Sequence, residues 1–252
     1  MTIPLWLYGV LFAGGIAAGW IDSIAGGGGL LTIPLLLWVG LPVQTVLGTN
    51  KFQSSFGSFT AAYHYTHREV VPLRDALPGI LFTLAGAAAG SIAAQLISGS
   101  VMNGVIPFLL LGIAVYLLFT PSLGERVLAP KFSRIPFYAA FGLLLGFYDG
   151  FFGPGVGSFW ALAFVLGLGF ELRTATGYTK VMNFASNAVS FILFLAGGQV
   201  LLGAGLAMGV GEVLGAGIGS RMVVRKGVKF IRPIFVTMVI LTTIKLLYSR
   251  FF

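Results

Sequence analysis

The segment Ala18-Gly-Trp-Ile-Asp22-Ser-Ile-Ala-Gly26-Gly-Gly-Gly29-Leu-Leu-Thr-Ile-Pro34 places one aspartate and four consecutive glycines inside an otherwise apolar run. Upstream, Leu5–Ile24 supplies the ~20 apolar residues that a helix needs to cross hydrocarbon. Downstream, Leu30–Val39 is just as apolar but too short to cross unaided. The segment reads as helix, glycine break, half-helix. Glycine lets the backbone turn and approach a ligand without a Cβ in the way. A half-helix that starts there presents unpaired N–H groups and about half a positive charge, which is a standing anion site. Irregular backbone at membrane depth is tolerated only where it lines a cavity or is buried in protein.

The remainder of the 252-residue chain fits the same setting. It is 57% hydrophobic and only 9% charged, against about 25% charged in soluble domains. Such a chain cannot cover a water-facing surface, so an integral membrane protein is expected. Eight stretches are long enough to span: Leu5–Ile24, Val43–Tyr65, Ala76–Ile97, Val101–Phe119, Ile135–Phe152, Thr176–Ala196, Val200–Ser220 and Ile231–Tyr248. Leu30–Val39 and Val156–Leu168 are half-helices, each following a glycine cluster. The first Lys or Arg is Lys51, so the N-terminus has no basic region of the kind that opens a cleavable signal. With no cysteine, a disulfide framework, a thiolate zinc site and a Cys nucleophile are excluded. The excess of 15 Lys+Arg over 7 Asp+Glu reads as loops facing anionic lipid rather than nucleic acid, for which no soluble basic domain exists.

The glycine segment has an echo. Gly19-Trp-Ile-Asp22 pairs with Gly146-Phe-Tyr-Asp149, and Gly26–Gly28 with Gly153-Pro-Gly155, at an offset of 127. After a two-residue insertion, Gly48-Thr-Asn-Lys51 pairs with Gly177-Tyr-Thr-Lys180, and Gly86–Ser91 with Gly215–Ser220, at 129. The chain therefore reads as two transmembrane repeats, 1–125 and 126–252, forming one membrane domain. Loop charge orients them. His67–Asp75 and Thr120–Pro136 are basic, yet the second-half equivalent of the former, Ala196–Val200, carries no charge. Instead Arg221–Arg232 holds five Lys or Arg, where its first-half equivalent, Ser98–Ser100, has none. That swap is the signature of an inverted repeat with both termini periplasmic. It requires either re-entrant hairpins, which we favour, or half-helices that cross.

Ionisable groups at membrane depth cost ~2.5–3.5 kcal/mol on insertion scales and mark function. Asp22, Lys51, Asp149, Lys180 and Glu212 sit well inside apolar stretches. The functional reading is that Lys51 and Lys180 face one cavity and attract an anion, with Asp22 and Asp149 as charge partners. The competing reading is that the lysines only neutralise the aspartates. Neutral donors surround each lysine: Asn50, Gln53, Ser54, Ser55 and Ser58 in one half, Thr179, Asn183, Ser186 and Asn187 in the other. They suit oxyanion oxygens beside a compact ammonium. Backbone amides of Gly27, Gly28, Gly155 and Gly157 complete the expected substrate site. Gly86, Gly90, Gly211, Gly215 and Gly219 read instead as helix-packing positions. Glu212, whose first-half equivalent is Thr83, is a candidate proton carrier or a neutral hydrogen-bonding acid. His64-x-x-His67 lacks the glutamate and third ligand of a zinc site, and no Gly-x-Ser-x-Gly elbow occurs. No enzyme, metal or cofactor is expected.

The Ala18–Pro34 segment, its echo Gly146–Ser158 and the Gly48-Thr-Asn-Lys51 segment resemble the TauE/SafE sulfite-exporter (TSUP) family. The resemblance covers nearly the whole chain. The second half departs from the pattern, with Pro154 inside its cluster and Tyr-Thr before Lys180. Membership implies a bacterial or archaeal inner-membrane transporter of small sulfur-containing anions, such as sulfite, sulfoacetate, thiosulfate or organosulfonates. A passive anion channel is the alternative, and a homodimer is a compatible assembly. The expected fold is all-α: about eight transmembrane helices plus two half-helices in two inverted repeats.

Overall fold

The computed structural model describes residues 3–102 and 129–222, with 104–106, 108–109 and 112 between them. The expected span Ile231–Tyr248, most of Val101–Phe119 and nearly all of the Arg221–Arg232 loop lie outside the described residues. Eight helices are described. They are α1 (Leu5–Ala25), α2 (Gly29–Val39), α3 (Val43–His67), α4 (Leu73–Leu96), α5 (Arg134–Phe151), α6 (Val156–Leu168), α7 (Leu172–Ala196) and α8 (Leu202–Met222). Local chemistry sets several of the boundaries. Pro4, Pro42 and Pro72 immediately precede α1, α3 and α4, where a missing N–H costs nothing. Gly26, Gly40 and Gly169 stop α1, α2 and α6 in the left-handed region, as C-terminal glycines do. Both half-helices form where the sequence places them. The full helices α4 and α7 start three to four residues earlier than the apolar stretches, because their first turns are polar and lie at one end of the bundle.

The exterior is apolar and the interior polar. Leu81, Leu144, Ile192 and Leu206 are more than half exposed, while Lys51, Lys180 and Glu212 are at most 1% exposed. A water-soluble fold distributes these residue types the other way round. The helices α1, α4, α7 and α8 are long and apolar enough to cross a bilayer. At 25 residues α3 is longer than α1, but it carries much of the polar interior. The chain is an all-α, multi-pass membrane protein.

Two helix pairs share one construction. In α1, Gly15 and Gly19 abut the backbone of Met208 and Glu212 in α8, and Gly211 and Gly215 abut Phe12 and Ile16 in return. Numbers rise together on both sides, so α1 and α8 run parallel. In the same way Gly86 and Gly90 of α4 abut Leu143 and Phe147 of α5, while Gly142, Gly146 and Gly150 abut Phe82, Thr83 and Ala87. A Cβ at most of these positions would collide with the facing main chain. Small residues replace the missing hydrophobic driving force between helices by letting backbones touch. The glycines expected to pack helices do so.

The helices α3 and α7 cross the middle of the molecule. Gly48, near the start of α3, meets Phe194 and Gln199 at the end of α7, and Gly177, near the start of α7, meets Tyr65 and Val71 at the end of α3. These two helices are therefore antiparallel. Each half-helix folds back into one end of the bundle. The first lies against α1 with Gly28 beside Asp22 and Leu35 beside Gly14. It fills an aliphatic cluster with Leu11, Val46, Leu47, Ala94 and Met208. The second fills a cluster at the opposite end with Phe137, Tyr138, Trp160, Phe164 and Tyr178, whose rings stack and tilt at 5.1–6.3 Å. That aromatic end also gathers the surface charges. Arg134 pairs with Asp75 at 2.7 Å, the Lys131 amide bonds Gly167, and Arg68 and Arg173 both lie near Tyr65. At the aliphatic end, residues 40–42, 97–100 and 197–201 carry no charged side chain.

Candidate functional site

Four charges, three of them buried, meet where the two hairpin tips converge. Lys51 of α3 donates to Asp149 Oδ1 of α5 at 2.5 Å, and Lys180 of α7 donates to Asp22 Oδ2 of α1 at 2.9 Å. Each lysine thus pairs with the aspartate of the other half of the chain. Lys180 makes a second bond, to the Asp22 carbonyl oxygen. The two pairs differ in burial. Side-chain exposure is 1% and 3% for Lys51 and Asp149, against 0% and 18% for Lys180 and Asp22.

Both aspartates lie against glycine turns. Asp22 Oδ1 accepts the Gly28 N–H at 3.2 Å, at the foot of α2. Asp149 Oδ1 and Lys51 Nζ each lie 2.7 Å from where a Cβ of Gly153 would stand. Gly153 has φ 101°, and Gly155, at the start of α6, has φ 79°. Both are left-handed conformations that L side chains resist, so the turn itself requires glycine. Tyr148 clamps this second turn by donating to the Pro154 carbonyl at 2.6 Å. The two tips also touch each other. A Cβ at Gly26 would sit 2.5 Å from Gly157 Cα, so Gly157 is committed to backbone packing. Gly29 approaches Pro154 and the Asn50 amide, while Gly27 faces Leu30 and Ile21. The Asp22 carboxylate therefore stands where the positive end of α2 would hold an anion, and Asp149 lies against the second glycine turn.

The neutral polar groups fall into unequal sets. On the first-half side, Asn50 Oδ1 accepts from Thr32 at 2.5 Å and from Gln53 at 3.0 Å. Gln53 also donates to Thr32 and to Ser54 at 2.8 Å, and Thr32 bonds back to the Gly28 carbonyl. This links the α2 turn to α3. Ser55 and Ser58 bond back to Lys51 and Ser54 carbonyls of their own helix. On the second-half side, Thr179 likewise bonds back to Ala175. Asn183 Oδ1, Ser186 Oγ and Ser190 Oγ are buried without a hydrogen-bond partner among the described residues. Asn187 reaches Ser58 at 3.5 Å, joining positions 129 apart. A buried polar atom without a partner costs about 1–3 kcal/mol, so this seam is chemically suited to hold polar guests.

Glu212 lies in α8, 1% exposed, with its carboxylate against Gly57. Its Oε1 has no partner among the described residues, as is true of Gln53 Oε1 and Asp149 Oδ2. Asp22, Lys180 and Gln53 form its electrostatic surroundings. Thr83, its first-half equivalent, instead points its hydroxyl at Met182 Sδ at 3.4 Å. Thr32 and Ser190 are among the buried polar groups that the sequence reading missed. The available signal was a lone hydroxyl one turn past each of two recognised features, Gly28 and Ser186. Among the described residues no group of three or more His, Asp or Glu is placed to hold a metal, and His67 stacks on Tyr63 at 5.5 Å.

Residues 11–246 match the family described as "Sulfite exporter TauE/SafE". The chain is 45% identical over 254 residues to a "Probable membrane transporter protein" of Haemophilus influenzae, covering 99% of this chain and 98% of that protein. It is 44% identical over 249 residues to the "Probable membrane transporter protein YfcA" of Escherichia coli K12, with 99% and 92% covered. It is also 46% identical over 244 residues to the "Probable membrane transporter protein ORF9" of a Sinorhizobium species, with 96% and 92% covered. No solved structure matches the chain. Glycine-tipped half-helices, buried Lys/Asp pairs and these near full-length relatives converge on one assignment: the chain belongs to the TauE/SafE sulfite exporter family of membrane transporters, which are not enzymes.

Proposed function

We propose that this transporter moves small sulfur-containing anions, such as sulfite or organosulfonates, outward across the inner membrane. The observation that carries the reading is the pair of fully buried lysines, each beside a glycine turn that opens a half-helix. An ammonium and half-helix amides form a site for a compact oxyanion, and Asn50, Gln53, Ser54, Asn183 and Asn187 supply neutral groups around it. Thr179 and Gly157, turned to their own helix and to Gly26, contribute by shaping the site.

The working architecture is two repeats of opposite orientation, split near residue 125, with eight spanning helices and two half-helices. The antiparallel run of α3 and α7, and the matched pairs α1/α8 and α4/α5, support it. The charged, aromatic end faces the cytoplasm by the excess of basic loops, which leaves both termini periplasmic. Inverted repeats with broken helices suit alternating access around a central site. Export needs no coupling, since a negative interior expels an anion at about 2.3 kcal/mol per charge per 100 mV. Uptake would need a co-transported cation, for which Glu212 is the candidate proton carrier.

The test is flux of sulfite, thiosulfate and sulfoacetate through purified protein in proteoliposomes. Saturable, counterflow-competent flux that falls at least tenfold in Lys51→Ala and Lys180→Ala supports the reading. Linear, non-saturating conductance would make the protein a channel instead. If Glu212→Gln matches wild type under an imposed pH gradient, Glu212 is structural.

A further inference from the structure

The two lysines are equivalent by position in the chain but not by surroundings. Lys180 is fully buried, and both of its hydrogen bonds end on Asp22, one on the carboxylate and one on the carbonyl. The other carboxylate oxygen of Asp22 takes the Gly28 amide. One carboxylate therefore bridges an ammonium and a half-helix N-terminal N–H, using two oxygens as a sulfonate or sulfite would. We propose that Asp22 is a tethered competitor: the transported anion enters by displacing its carboxylate from Lys180 and the Gly28 amide, while Lys51–Asp149 is a permanent latch.

Three observations separate the two pairs. Asp22 keeps 18% of its side chain exposed, whereas Asp149 keeps 3%. Moving a carboxylate off its lysine costs less the less buried the carboxylate is, because an unpaired buried charge costs several kcal/mol. Asp22 also sits in the last turn of α1, directly before the Gly26–Gly29 break, with Gly26 at φ 72°. Glycine gives the backbone of that break more than one accessible conformation. Finally, Glu212 places a second carboxylate within electrostatic reach of Asp22 and Lys180. Asp149 has no such neighbour at the equivalent position, Thr83.

The proposal rests on the anion-transport reading, and titration of sulfite and sulfoacetate into purified variants separates the two. If Asp22 occupies the position nine-tenths of the time, removing its charge tightens apparent affinity about tenfold. Asp22→Asn should therefore bind at least tenfold tighter and release anion more slowly. Asp149→Asn should not tighten, and Lys180→Gln should lose binding in either background. Wild-type or weaker affinity in Asp22→Asn overturns the competitor, as does equal tightening in Asp149→Asn or Asp22→Glu. If Asp22→Asn is unfolded when free of ligand, saturating sulfite or sulfoacetate should restore it by replacing the carboxylate against Lys180. Failure of both to restore it overturns the proposal. So does absence of binding by both anions in wild type and Asp22→Asn alike. Wild-type affinity in both Lys51→Gln and Lys180→Gln removes the transport reading itself, whereas loss there with no gain in Asp22→Asn removes only the competitor.

Discussion

Lys51–Asp149 and Lys180–Asp22 occupy matching places in the two halves of the chain, and each joins a central helix to the glycine-tipped hairpin of the other half. One is sealed, with both side chains at or below 3% exposure, while the other leaves Asp22 at 18%. The frames around them are alike: parallel, glycine-faced helix pairs and one half-helix apiece. The chemistry is not alike. A hydrogen-bonded Thr32–Asn50–Gln53–Ser54 network and Glu212 belong to one side. At the equivalent places on the other stand the apolar Phe159 and Met182, Thr179 bonded back to its own helix, and Asn183, whose Oδ1 has no partner among the described residues. The scaffold is alike on the two sides, and a few differing residues make the surroundings of the two lysines unequal.

The largest expected effect comes from breaking the sealed pair. Lys51→Ala leaves Asp149 buried and uncompensated, which should cost about 3–5 kcal/mol of stability. Lys51→Ala with Asp149→Ala should recover part of that in thermal unfolding in detergent. Equal stability of the single and double variants would show that the pair is not the source of the loss.

Packing tests the symmetric side of the comparison. Gly19→Leu and Gly146→Leu each drive a side chain into the facing main chain, at Glu212 and Thr83 respectively. Each should destabilise by about 1–3 kcal/mol or more, as overpacking does, and by similar amounts. A large difference between them would mean that the two interfaces are not equivalent.

Lys180→Ala should cost less than Lys51→Ala, about 1–3 kcal/mol, because Asp22 is less buried than Asp149. The same unfolding assay reads it. A loss as large as that of Lys51→Ala would remove the distinction between the pairs. Thr32→Val deletes the hydroxyl that joins α2 to Asn50 and should cost about 0.5–1.5 kcal/mol. Its second-half counterpart Phe159→Leu touches no such network and should leave anion affinity unchanged, whereas Thr32→Val should weaken it.

The smallest effect is expected at the charged end. Arg134 and Asp75 pair at 2.7 Å with side chains 53% and 43% exposed, a setting worth at most about 1 kcal/mol. Asp75→Asn should shift unfolding little and less still in high salt. A shift comparable to Lys180→Ala would mean that this surface pair clamps the aromatic end.

Much of this architecture is legible in one dimension. A run of ~20 apolar residues is read by counting, and a glycine cluster inside one announces a break because only glycine accepts the turn without strain. The half-helix Val156–Leu168 forms over the expected residues. Gly86, Gly90, Gly211 and Gly215 pack as their spacing of four implies. The five charges inside apolar stretches stand out because the insertion cost makes them rare. Helix starts are less legible: α4 and α7 begin in polar turns that an apolarity count passes over.

The sequence by itself determined which groups are buried, where the chain breaks and that its halves echo one another. These depend on local backbone preference and on the cost of polar groups in hydrocarbon, both properties of short segments. Which aspartate meets which lysine was decided only by tertiary structure. An offset of 127 or 129 says that two residues are alike, not that they touch. Only the antiparallel crossing of α3 and α7 and the meeting of Gly26 with Gly157 carry each lysine to the other half's turn. The unequal exposure of Asp22 and Asp149 arises the same way. It depends on what packs over each carboxylate from helices far away in the chain, and no local pattern encodes that.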